Sequence, residues 1–170
     1  MKHAIAAVLT AVVFGACVAA ARADSPSQVV LKAGAFVQTN AGRNTNGIFA
    51  AGGEYIVHQG STLQPFDVSV YADLFGGSGG AGVSIRNSGN AYIGAGAGLY
   101  HVSLTPPPGG AAGPFGSSPQ TTYTASGLGG KVFAGFALHE PVGLEFAYHF
   151  LPNPGPYQTG ALTAELTLHL

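Results

Sequence analysis

Charge is what this sequence has least of. Asp, Glu, Lys and Arg together make up 8% of its 170 residues, about a third of the roughly 25% usual in soluble domains. The net charge is −1, so no basic surplus draws the chain to nucleic acid. Cysteine is almost missing as well. Its one copy, Cys17, lies in the first apolar run, and a chain that starts beyond that run has no disulfide. Tryptophan is absent and methionine occurs once. After the first run, no stretch shows the 3.6-residue apolar period of an amphipathic helix.

What is present begins with that run. Lys2 and His3 precede Ala4 to Ala21, and Ala21-Arg22-Ala23 is a small-x-small cleavage site ahead of Asp24. This is the pattern of an export signal. Its length borders on that of a membrane-spanning helix, but the cleavage site and the polar sequel favour a removed signal over residues 1–23. One domain is expected over residues 24–170. Phe14-Gly15-Ala16-Cys17 has some likeness to a lipoprotein signal but lacks the usual Leu. A small apolar residue in the signal core is the simpler account of Cys17.

The rest of the chain alternates. Val142, Leu144, Phe146, Tyr148 and Phe150 take turns with Gly143, Glu145, Ala147 and His149. Leu162, Ala164, Leu166, Leu168 and Leu170 take turns with Ala161, Thr163, Glu165, Thr167 and His169. A period of two marks a β-strand with two unlike faces. Between these runs, Pro152-Asn153-Pro154-Gly155-Pro156 breaks regular structure. Six similar segments come earlier: about Val29–Thr39, Gly47–His58, Phe66–Phe75, Ala81–Asn87, Ala91–Leu104 and Thr122–Leu138. Turn signals separate them, including Gly76 to Gly80, Ser88-Gly89-Asn90 and His139-Glu140-Pro141. The longest connection, Thr105 to Thr121, holds five prolines and cannot be a central strand. Eight short strands predict an all-β sandwich or barrel. Long and short connections alternate along the chain, as they do in bacterial outer-membrane barrels with their long loops outside.

The charges obey the alternation. Beyond Ala23, Asp24, Arg43 and Glu140 fall outside the strands. The remaining eight are Lys32, Glu54, Asp67, Asp73, Arg86, Lys131, Glu145 and Glu165, each opposite the more apolar face of its strand. Parity alone fits two structures. A soluble barrel puts the apolar face inside; a membrane barrel puts the charges inside. Three features favour the second. The polar face is poor in charge and rich in Gly, Ala, Ser and Thr, which suits a narrow lumen better than a solvated surface. Gly94, Gly96 and Gly98 neighbour Gly127, Gly129 and Gly135, leaving room in an eight-stranded barrel for large inner residues such as Phe36 and Tyr71. Outward Tyr55 and Phe66 at one end, and Phe49, Tyr148 and Phe150 at the other, form two aromatic girdles. A lipid-facing Lys or Arg at the midplane costs roughly 2–4 kcal/mol, so a membrane barrel needs all eight charges turned inward.

The chain resembles the small eight-stranded outer-membrane β-barrel family, typified by the membrane domain of outer membrane protein A. The residues that carry the likeness are Tyr92-Ile93-Gly94-Ala95-Gly96-Ala97-Gly98-Leu99-Tyr100, Gly129-Gly130-Lys131-Val132-Phe133-Ala134-Gly135-Phe136 and Gly143-Leu144-Glu145-Phe146-Ala147-Tyr148-His149-Phe150. The resemblance implies an antiparallel up-and-down transmembrane β-barrel in the cell outer membrane of a double-membraned bacterium. It also implies a monomer whose partners are outer-membrane lipid and the barrel-assembly machinery. The family's last strand usually ends in Phe or Trp; this one ends in Leu170.

Sites of chemistry are scarce. Gly94-x-Gly96-x-Gly98 opens no helix and belongs to no βαβ unit, so it is no dinucleotide fingerprint, and no cofactor is expected. His101 and Ser103 share a face, as in some lipid deacylases of this membrane. Leu104 stands where those enzymes carry Asn, and no outward strand carboxylate completes a triad. Glu145 with His149, and Glu165 with His169, share the inner face, but two ligands on one strand do not make a metal site. The eight charges are instead expected to form a lumen network, with Lys32 paired to Glu165 and Lys131 to Glu145. With five acids against three bases, acids are in excess, and one carboxyl is expected to stay protonated. The expectation is a non-enzymatic barrel serving as membrane anchor and loop display, or as a narrow pore. A lipid-modifying enzyme and a soluble exported calyx for an apolar ligand are the alternatives.

Overall fold

The computed structural model describes residues 29–39, 49–104, 122–155 and 158–170. The expected export signal over residues 1–23, the segment after Thr39 and the proline-rich connection at 105–121 lie outside the described residues. The described residues form eight strands: β1 (Val29–Thr39), β2 (Phe49–His58), β3 (Phe66–Phe75), β4 (Ser78–Asn87), β5 (Ala91–Leu104), β6 (Tyr123–His139), β7 (Val142–Phe150) and β8 (Gly160–His169). Each pairs antiparallel with the next, and β8 returns to β1, closing the barrel. The seam runs in register from Val30 opposite His169 to Thr39 opposite Gly160. Closure leaves no free sheet edge, so every strand finds backbone partners on both sides.

β6 is shifted by one residue from the sequence expectation, and β4 starts three residues earlier, at Ser78 rather than Ala81. Gly76 to Gly80 reads as a loop, yet the turn occupies only Gly76 and Gly77, and Ser78 already pairs with Phe75. Both glycines have positive φ, 53° and 84°. Two successive residues of that kind make the tight hairpin turn whose twist matches its strands. Glycines 79 and 80 then join the ladder, because extended backbone needs no side chain.

Polarity is inverted relative to a soluble barrel. Inside, Lys32, Glu54, Asp73, Arg86, Lys131, Glu145 and Glu165 are all buried. Outside, Ile93 is 71% exposed and Leu128 81%, with Val83, Leu99, Phe146 and Leu166 among their exposed neighbours. In water each such side chain forgoes roughly 1.5–3 kcal/mol of burial, so this surface fits an apolar solvent. This arrangement is the reverse of a calyx with an apolar interior.

Glycine makes the lumen fillable. A Cβ on Gly135 would strike the Tyr92 ring, one on Gly94 the Phe133 ring, and one on Gly76 the Phe36 ring. One on Gly129 would lie 2.7 Å from Tyr100 Cδ2. Each aromatic ring therefore lies over a position with no side chain. The alternation of small and large is the packing rule of a barrel just wide enough for side chains.

Candidate functional site

The lumen is layered along the barrel axis. At the end bearing the long connections sits an aromatic plug. Phe36 and Phe75 have ring centroids 6.0 Å apart, and Phe75 lies 4.9 Å from the ring of His149. Tyr71 and Tyr100 join hydroxyls at 2.8 Å, and Val102 and Leu151 complete the cluster. Parity explains the gathering: these residues occupy the inner positions of β1, β3, β5 and β7, together with the connection after β7.

Below the plug lies the charge layer. Lys32 Nζ donates to Glu145 Oε1 at 2.7 Å and sits 2.8 Å from Glu54 Oε2. Lys131 Nζ donates to Asp73 Oδ2 at 2.8 Å and stands 3.7 Å above the centroid of the Tyr71 ring. Neutral donors finish the network. The Ser69 hydroxyl donates to Glu54 Oε1, and the Tyr92 hydroxyl donates to Glu145 Oε2 at 2.9 Å. Buried charge is tolerable only when paired and hydrogen-bonded, and Glu54 and Glu145 meet both conditions.

These pairs correct the expected ones. Lys32 does not meet Glu165, because the β1–β8 register puts Lys32 opposite Thr167 and Glu165 opposite Gly34. Lys131 does not meet Glu145, because it lies opposite His149 while Glu145 lies opposite Gly135. Neither lysine stops at the expected strand: Lys32 reaches past β8, and Lys131 turns away from β7 across the lumen. Lys32 bridges β2 and β7, and Lys131 spans from β6 to β3. Glu165 is buried and has no ion-pair partner among the described residues.

At the end bearing the short connections, Asp67 gathers three donors. It accepts from Arg86 Nε at 3.1 Å, from the Gly60 N–H at 2.8 Å and from the Ser88 hydroxyl at 2.7 Å. It thereby ties the β2–β3 and β4–β5 connections to the barrel wall. The Arg86 guanidinium also stacks on Tyr92, 4.6 Å from its centroid. The Ser84 hydroxyl also reaches Glu54 Oε1, at 3.4 Å; the parity of the charges did not point to Tyr92, Ser69 or Ser84. Their place on the same inner faces was the signal that could have found them.

No protein-family model matches the chain, and no curated protein does. Among solved structures it is similar to Neisserial surface protein A. The similarity covers 84% of this chain and 96% of that one, at 16% identity and a TM-score of 0.47.

The outward polar residues do not assemble as the His101–Ser103 reading would need. His101 Nδ1 lies 2.8 Å from the Ser126 hydroxyl across the β5–β6 ladder. The Ser103 N–H donates to the Ser78 hydroxyl at 3.1 Å. Neighbours on one strand face point the same way but stay too far apart to bond well, whereas a cross-strand pair sits about 4.5–5.5 Å apart at Cβ. The strand carboxylates all lie in the lumen, so none orients His101 from outside. Among the described residues, no group of three or more His, Cys, Asp or Glu side chains is placed to hold a metal ion. His149 and Glu145 are buried, with His149 bonded to the Thr163 hydroxyl at 3.3 Å.

Proposed function

We propose that this protein is a non-enzymatic barrel of the bacterial outer membrane, a sealed anchor that carries surface segments at one end. One observation carries this reading: the charged side chains of the strands are buried inside while a continuous apolar surface faces out. The end bearing the proline-rich connection is the outer one, by the asymmetry of loop lengths that such barrels show. The aromatic plug supports an anchor over a pore, because Phe36, Phe75, Tyr71 and Tyr100 occupy the lumen cross-section at that end.

Two measurements test the reading. Refolded into detergent, the protein should resist SDS until boiled and then migrate differently on a gel; a protein folded and monomeric in plain buffer would overturn the membrane assignment. In planar bilayers it should give no stepwise current. Discrete conductance steps would replace the anchor by a narrow pore.

A further inference from the structure

Beneath the charge layer, the end bearing the short connections opens into a cavity of about 410 Å³. Such a volume lies near the lower end of small-ligand sites. Its wall holds three charges: Asp67 and Arg86, paired with each other, and Glu140. Arg86 is only 6% exposed. Asp67 takes its Nε and Tyr92 stacks on its plane, which fixes the guanidinium in one orientation. Its terminal nitrogens are left over: Nη1 is buried with no hydrogen-bond partner. A guanidinium offers five donors in a rigid fork suited to a carboxylate, and the protein uses one of them here. Glu140, on the β6–β7 turn, also lines the cavity. It is exposed, and no described cation lies within ion-pair distance of its side chain. Ile56, Tyr92 and Val142 supply apolar wall.

We infer that this cavity binds a compact zwitterion with an apolar body, of the amino-acid or short-peptide class. Its carboxylate lies on the Arg86 fork and its ammonium faces Glu140. A simple anion would satisfy the free Arg86 donors but meet Asp67 and Glu140 as like charges. A simple cation would answer Glu140 but leave those donors unpaired. A molecule carrying both groups answers Glu140 and the free Arg86 donors together, and a volume of about 410 Å³ suits a body of amino-acid size. Asp67 is a positioning residue: it touches Arg86, and through Gly60 and Ser88 it holds the rim.

The test uses the full chain, refolded in detergent micelles and labelled with nitrogen-15, titrated with L-leucine. 4-Methylpentanoate and isopentylamine carry its two charges separately. Leucine should give saturable shifts confined to amides around Gly89, Asn90 and Val142, and each half-molecule should bind at least roughly tenfold more weakly, as the loss of a charged hydrogen bond implies. Arg86→Gln and Glu140→Gln should each weaken leucine by a similar factor. Glu140 sits on an exposed turn, so its variant tests the idea even where Arg86→Gln fails to fold. Absence of saturable shifts with leucine overturns the proposal. So does 4-methylpentanoate binding as tightly as leucine with Glu140→Gln unaffected, which would mean an anion site only.

Discussion

Lys32 shows what a single buried charge does in this lumen. It stands between Glu54 and Glu145, 2.8 Å and 2.7 Å from their oxygens. Lys32→Met keeps the stem and removes the ammonium, stranding two carboxylates. Breaking a buried pair in that way costs about 3–5 kcal/mol. Urea titration of the folded fraction in detergent should read that loss. Adding Glu54→Gln and Glu145→Gln should recover most of it, because amides need no counter-charge. A single-variant loss below about 1 kcal/mol would place the pair in wet, screened surroundings. The sequence told that Lys32 points inward, because parity fixes the face. It did not tell the partner. That depends on stagger around the barrel, and a lysine stem is long enough to pass its nearest neighbour. Arg86 and Tyr92 escaped notice as a pair for the same reason.

Among the elements, the strands were the most legible. β3, β5 and β7 have the limits that alternation predicts, since a two-faced barrel wall forces polarity to switch at each residue. Turns are harder to read, because glycine serves both as hinge and as spacer. The β3–β4 hairpin separates the two uses. Gly77 has φ of 84° and nothing within 4 Å of a Cβ built on it, whereas a Cβ on Gly76 runs into the Phe36 ring. Gly77→Ala should therefore cost only the left-handed backbone term, about 1–2 kcal/mol. Gly76→Ala should cost that and the displacement of a ring from the plug, a further roughly 1–3 kcal/mol. Equal losses in the same urea titration would show that Phe36 yields freely and that the plug is loose.

For the whole molecule, the deciding quantity is how the cost of an outward charge varies with depth. Val83 lies midway along β4, 57% exposed, between Val70 and Ala97 on the flanking strands. Phe49 starts β2 at the rim and is 67% exposed. The two are similarly bare, so area alone predicts similar behaviour. A bilayer separates them. Arg at the midplane costs roughly 2–4 kcal/mol, falling to about 0–1 near the interface. Val83→Arg should thus destabilise the barrel in lipid vesicles by roughly that larger amount, and Phe49→Arg by little, both read by urea titration. Were water the outer solvent, surface changes of this kind would stay within about 0.5 kcal/mol at either depth. The gradient between the two variants, rather than either value, therefore decides whether the apolar surface that encircles this barrel faces lipid.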